Sequence, residues 1–288
     1  MTGRIASTLR VALPLAAAAV LVLAMPAQGA KKPLKIKQAT ASANVVGSFN
    51  VATATASCPA KTKAVGGGYV TSQPSIPNHW LNVYESQRLN NKQWRVSGVE
   101  YFPAPATDSL VAYVYCEALR AKVRTVAATI PLTPTLHGTT SVLALCPKGR
   151  KAISGGFLGP AANAGNGSYI SRSTLGLNGW VVDATNLMGV PGAVTAFVYC
   201  AKVGKVNQLS ADVAVLGPGN SVRSARTPRC AKRKTARAGG FATSTPVGGL
   251  QATALVYESR RIGATWLSSA SASGNSTSST LVSTALCR

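Results

Sequence analysis

The sequence predicts an all-β fold of three tandem, disulfide-stapled, β-sandwich-like repeats, and three observations carry the prediction. Five landmarks recur three times in one order, apolar and polar residues alternate with period two, and the six cysteines fall two to a copy. No segment of the chain after its apolar start shows a sustained helical period with caps.

Each copy opens on a cysteine: Cys58-Pro59-Ala60-Lys61, Cys146-Pro147-Lys148-Gly149 and Cys230-Ala231-Lys232-Arg233. A Gly-Gly-aromatic triplet follows at a constant distance, as Gly67-Gly68-Tyr69, Gly155-Gly156-Phe157 and Gly239-Gly240-Phe241. The glycines predict a bulge or a close backbone approach beneath a tryptophan. They do not predict a phosphate loop, since no Gly-Lys-Ser/Thr and no helix start come after them. A Tyr-x-Ser element comes next, read as Tyr84-Glu85-Ser86, Tyr169-Ile170-Ser171 and Tyr257-Glu258-Ser259, and then one tryptophan, Trp94, Trp180 or Trp266. Strand-like runs ending at Cys116, Cys200 and Cys287 close the copies. The simplest pairing is one bridge per copy, Cys58 with Cys116, Cys146 with Cys200 and Cys230 with Cys287; pairing between neighbouring copies is the alternative. A bridge closing a loop of this size contributes about 4 kcal/mol in the chain-entropy model.

These landmarks place six short strands in each copy: one before the first-Cys loop, one ending at the first Cys, and one each at Gly-Gly, Tyr-x-Ser, Trp and the closing Cys. The organisation read from them is a leader at residues 1–29 and repeats at 30–120, 121–204 and 205–288. Units this long favour separate but contacting domains. The alternative fold is a single threefold β-prism with the copies as its faces, similar to that of the vitelline membrane outer layer proteins, whose repeats also place Gly-Phe after a Cys.

The Cys-Pro-x-Gly, Gly-Gly-Phe, Trp, Tyr-Cys order resembles tandem repeats in uncharacterised exported proteins of actinobacteria, from about residue 36 to the end. The second copy fits that pattern best, and the third departs from it with Ala231 for Pro and Leu286 for Tyr. No activity attaches to the pattern, so the resemblance implies export and modularity alone.

Export is also read from the start of the chain. Arg4 and Arg10 precede an apolar run from Val11 to Met25, and Ala27-Gln28-Gly29 supplies small residues for cleavage. Fifteen apolar residues interrupted by Pro14 are short for the roughly 20 that span a bilayer. A secreted or envelope-associated product is expected, in an oxidising compartment where cysteines pair.

The closing strands carry aromatics: Tyr113 and Tyr115 in the first copy, Phe197 and Tyr199 in the second, but Thr284 and Leu286 in the third. Packing of each pair against the following copy, with the third copy as a cap, is the expectation. Its rival is an exposed aromatic platform for sugars, which makes a glycan-binding or adhesive module the second functional reading.

Chemistry finds little purchase. The sequence has 7 carboxylates and 2 histidines. His79 and His137 occupy different landmarks, no Gly-x-Ser-x-Gly elbow is present, and neither a metal nor any cofactor is expected. Glu85 and Glu258 match in position, with Ile170 read opposite them, and suggest local ion pairs. A catalytic reading requires Glu85 or Asp183 buried beside His79 or His137, and a non-enzymatic protein is the expectation.

Charge is the remaining signal. The net charge is +23, and +21 once Arg4 and Arg10 leave with the leader. The cations gather after each first Cys: Lys61 and Lys63; Lys148, Arg150 and Lys151; Lys232, Arg233, Lys234 and Arg237, with Arg223, Arg226 and Arg229 upstream. Residues 205–288 hold eleven basic and two acidic residues. These twelve positions predict binding to an anionic envelope polymer or other polyanion, with salt-sensitive affinity. A solubilising surface on a purely structural envelope protein is the other use of such charge.

Overall fold

The computed structural model describes residues 35–47, 49–72, 81–100, 108–118, 121–160, 167–189, 191–215, 221–244, 253–273 and 279–288. Residues 1–29, expected to be a leader, and His79 lie outside them. The described residues contain strands and turns and no helix. Each copy supplies six strands at the expected landmarks. The first has β1 (Lys37–Val45), β2 (Val51–Ser57), β3 (Lys63–Thr71), β4 (Leu81–Arg88), β5 (Gln93–Glu100) and β6 (Asp108–Glu117). The second has β7 (Arg124–Pro131), β8 (Gly138–Leu145), β9 (Lys151–Leu158), β10 (Ser168–Gly176), β11 (Gly179–Asn186) and β12 (Ala193–Ala201). The third has β13 (Asn207–Val215), β14 (Ser221–Arg226), β15 (Ala236–Thr243), β16 (Thr253–Ile262), β17 (Thr265–Ser273) and β18 (Ser279–Cys287).

The copies are not separate domains. Each divides its strands three and three between two sheets, and each six-stranded sheet is completed by a neighbour: β1-β6-β3-β16-β17-β14, β2-β5-β4-β9-β12-β7 and β13-β18-β15-β10-β11-β8. Copy 1 therefore joins copy 2 through β4–β9, copy 2 joins copy 3 through β10–β15, and copy 3 returns to copy 1 through β16–β3. Within a copy the two half-sheets pack as a sandwich-like pair, and between copies the half-sheets fuse edge to edge into the threefold arrangement. One hydrophobic core runs through all three copies. The reason is geometric: three strands per layer leave a central edge unpaired, and the neighbouring copy supplies the partner.

The bridges are Cys58–Cys116, Cys146–Cys200 and Cys230–Cys287, one per copy. Each fastens the end of the second strand to the end of the sixth, across the two layers.

The Gly-Gly-aromatic triplet organises the axis. A Cβ on the first glycine would lie 2.1 Å from Trp94 at Gly67, 2.0 Å from Trp180 at Gly155 and 2.3 Å from Trp266 at Gly239, so each copy's indole lies flat on its own third strand. A Cβ on the second glycine would lie 2.0 to 2.3 Å from a backbone carbonyl of the adjoining copy, Ser259 for Gly68, Ser86 for Gly156 and Ser173 for Gly240. The third member turns to the axis, where Tyr69, Phe157 and Phe241 meet edge to face with centroids 6.3 to 6.5 Å apart. The expected approach beneath the tryptophan is thus found, and the second glycine adds one between copies.

The tryptophans also fix the alignment of the copies. Trp94, Trp180 and Trp266 are buried, and each Nε1 donates to a serine, Ser86, Ser173 and Ser259. A bulge precedes each of these serines at Tyr84, Ser171 and Tyr257. The second-copy counterpart of Tyr84-Glu85-Ser86 is therefore Ser171-Arg172-Ser173, two residues beyond the Tyr169-Ile170-Ser171 read from sequence. Tyr169-Ile170-Ser171 repeats the residue types, but hydrogen bonding selects the later serine.

Candidate functional site: a basic end of the threefold axis

The third strand of every copy starts at the same end of the axis. The bulged residues Val65, Ile153 and Arg237 line one cavity of about 10 Å³ there, with Glu117, Val206, Leu286 and Arg288. The first-Cys turns immediately precede these strands, so the three basic turns of the sequence are brought to one end. Lys61, Lys148, Lys151, Lys232 and Arg233 are exposed, whereas Lys63, Arg150 and Lys234 are half-buried. Arg229 is exposed just before Cys230. Arg226 donates from Nε to Thr265 Oγ1 at 3.0 Å near the same end. Arg223 pairs with Ala270 farther along the sheet, away from the turns.

The three turns share one geometry. Thr62 N donates to Pro59 O, Arg150 N to Pro147 O and Lys234 N to Ala231 O, at 3.3, 3.1 and 2.8 Å. Ala231 thus serves where the other copies have proline. The third residue has positive φ in every copy: Lys61 at 62°, Gly149 at 78° and Arg233 at 68°. Glycine takes that conformation freely, whereas a side-chain-bearing residue there costs about 1–2 kcal/mol. A Cβ at Gly149 would meet nothing within 4 Å, so the side chains of copies 1 and 3 strain only their own backbone.

Strand ends bring further cations that sequence reading missed. Lys37 pairs opposite Cys116 and Arg124 opposite Cys200, and the Lys92 carbonyl accepts from Cys58 N. Lys35, Lys122, Lys202 and Lys205 are exposed beside the same ends. The sequence held a signal for some of them: Lys122 and Arg124 follow Cys116 closely, as Lys202 and Lys205 follow Cys200, whereas Lys35, Lys37 and Lys92 are far from any cysteine along the chain. Among the described residues no Lys or Arg sits at the far strand ends, where Glu100 and Asp108 lie. Apart from Arg237, no cation of the turns is engaged in an ion pair among the described residues.

Arg237 has to be removed from the expected binding surface. It is 9% exposed, its Nη1 is paired with Glu117 Oε2, and its Nε donates to Arg288 O at 3.2 Å. Arg288 Nη2 reaches both Glu117 oxygens at 2.8 and 3.0 Å. Burial and the neighbouring Arg237 charge, opposed by Glu117, lower the Arg288 guanidinium below its ordinary pKa. This Arg-Glu-Arg cluster joins the last copy to the first, the one junction that no continuous chain spans.

Three further carboxylates, Glu85, Asp183 and Glu258, lie midway along their strands. Glu85, 3% exposed, accepts from Arg95 at 2.6 Å, from Ser97 at 2.6 Å and from Gln87. Glu258 accepts from Arg260 at 2.6 Å and Ser269 at 2.7 Å. In the second copy Arg172 stands at the position of Glu85 and Asp183 at that of Ser97, and the two meet at 2.7 Å. The pairs of Glu85 and Glu258 are the local ion pairs expected, buried more deeply than a surface reading implies, and the Arg172–Asp183 pair is an addition to them. Neither Glu85 nor Asp183 faces His137, which is exposed in the turn before β8. No set of three metal-ligating side chains occurs among the described residues.

The closing-strand aromatics pack between copies, but in the opposite direction from that expected. Tyr199 of copy 2 meets Trp94 of copy 1 at 5.5 Å and accepts from Arg88 N; Tyr115 of copy 1 meets Trp266 of copy 3 at 5.5 Å and accepts from Arg261 N. Each closing strand faces the preceding copy around a ring, so the third copy is not a cap. Its Thr284 bonds Thr174 at 2.9 Å, where Tyr113 lies under Arg260 at the equivalent contact. Tyr115 and Tyr199 are fully buried and offer no sugar platform, while Tyr113 and Phe197 are half-buried. The axis itself encloses about 20 Å³ beneath the tryptophans, room for a water and no organic ligand.

Comparison with protein-family models and with curated proteins returns no match.

Proposed function

We propose that this is an exported, non-enzymatic protein that binds anionic envelope or extracellular polymers through the basic end of its threefold axis. The observation that carries the reading is the strain at Lys61 and Arg233. Two copies place a cation in a left-handed turn position where the third has glycine, at the end to which the topology brings all three turns. Backbone strain retained without a packing benefit is a mark of a functional position. Export is supported by the leader-type residues at the start of the sequence and by three disulfides. Among the described residues no helix is long and apolar enough to cross a membrane.

The test is retention on immobilised heparin or polyphosphate across a salt series. Retention falls steeply with salt, and the slope of log affinity against log salt drops by roughly one for each cation removed from Lys61, Lys148, Lys232 or Arg233. Removal of Arg223, away from the end, leaves the slope unchanged. Absence of retention, or retention that persists at high salt, refutes the proposal. Fractionation of the producing cell tests export, and an intracellular full-length chain refutes that part.

A further inference from the structure

One apolar feature at the basic end is left without a role by polymer binding. Leu177 is 89% exposed at the tip of the β10–β11 hairpin, with φ +53°. Its counterpart at the β16–β17 turn is Gly263, also at positive φ, and a Cβ there would meet nothing within 4 Å. Leu177 thus combines two unfavourable properties, a large apolar side chain in water and a backbone conformation suited to glycine. Neither is offset by any packing of the side chain.

Its surroundings say what could offset them. Leu145, half exposed, pairs with Gly179 at the base of the same hairpin. Asn178, the next residue, ties the tip to the second basic turn: its Nδ2 donates to Arg150 O at 2.9 Å, and its Oδ1 accepts from Ala152 N at 3.2 Å. Leu177 is therefore held at a set position beside Lys148, Arg150 and Lys151. Leu89, also exposed, occupies the corresponding hairpin of copy 1 near Lys92. Apolar tips set among unpaired cations match the surface of an anionic bilayer, where phosphates meet the cations and acyl chains receive the leucine. A soluble polyanion meets the cations equally well but leaves Leu177 in water.

We infer that the basic end docks on anionic lipid surfaces, with Leu177 entering the boundary between headgroups and acyl chains. The inference rests on the basic end being an anion-binding surface and adds the class of partner. The experiment compares the purified mature protein with its Leu177→Gly variant, which adopts the residue of copy 3 and relieves the strained turn. Binding is measured by co-sedimentation with phosphatidylglycerol/phosphatidylcholine vesicles and with phosphatidylcholine vesicles, alongside the salt concentration of elution from heparin.

The expected result is binding to the anionic vesicles only, partition weakened about tenfold by Leu177→Gly as the insertion of one leucine side chain is lost, and heparin elution unchanged. Heparin retention without vesicle binding overturns the inference and leaves the polymer reading standing. Equal vesicle partition of the two proteins overturns the insertion of Leu177. Loss of both vesicle and heparin binding in the parent protein overturns the polymer reading as well.

Discussion

Replacing Glu117 by alanine tests the junction between the first and last copies. The Glu117 side chain is fully buried, and its two partners are nearly so, with Arg237 11% and Arg288 17% exposed. Removal of the carboxylate leaves two guanidiniums facing each other with no counter-charge, and breaking a buried pair in this way costs about 3–5 kcal/mol. That is a large share of the roughly 5–15 kcal/mol stability of an ordinary domain. The assay is urea unfolding followed by tryptophan fluorescence, since Trp94, Trp180 and Trp266 report the three junctions. The second copy suggests a control, because Ile153 and Ala201 stand there at the positions of Arg237 and Glu117. The triple variant Glu117→Ala, Arg237→Ile, Arg288→Ala makes the cluster apolar and is expected to recover stability to within about 1 kcal/mol of the parent. A single variant that loses less than about 1 kcal/mol, or a triple variant no more stable than the single, refutes the account of the cluster as a charge-balanced clamp.

Gly67→Ala and Gly155→Ala place a Cβ about 2 Å from an indole ring; each is expected to cost about 3 kcal/mol by overpacking, checked by the same urea titration. Lys61→Gly and Arg233→Gly relieve positive φ and, after the added freedom of glycine in the unfolded chain, are expected to raise stability by up to about 1 kcal/mol each while weakening heparin retention. Burial raises the hydroxyl pKa of Tyr69, Tyr115 and Tyr199 above the ordinary value of 10.0. Because the unfolded chain releases those protons first, their contribution is complete below about pH 10 and declines as pH rises further, by up to about 4 kcal/mol per pH unit for the three together. Unfolding midpoints in urea measured between pH 8 and 12 check this, and a midpoint constant to pH 12 contradicts it.

Much of the fold was legible because its strongest constraints are local or repeated. Period-two alternation marked the strands, the repeat selected the disulfide partners, and the glycines beside a single tryptophan announced a close approach. Legibility stopped where the information lay between copies. Tyr115 and Tyr199 were recognised as interface residues, but no local pattern tells whether a strand faces the copy before it or after it. The apparent decay to Thr284 and Leu286 looked like a terminal cap for the same reason: in a line the last unit has no neighbour, and in a ring it has two. Arg237 was read as surface because it follows a run of cations, although it stands at the buried bulge position of Val65 and Ile153. The match of Tyr169-Ile170-Ser171 to the other copies failed because side-chain types repeat loosely, whereas the Trp180–Ser173 hydrogen bond admits one register.

From residue types alone came the sign of the charge, the six strands per copy and the placement of basic turns after each first cysteine. Those follow from local backbone preference and from spacing that can be counted along the chain. That the turns meet at one end, that the copies complete one another's sheets, and that Glu117 joins the first copy to the last were decided by the tertiary structure. The physical reason is that a half-sheet of three strands satisfies its own inner hydrogen bonds but not those of its inner edge, and only closing the ring pairs these edges at all three junctions at once.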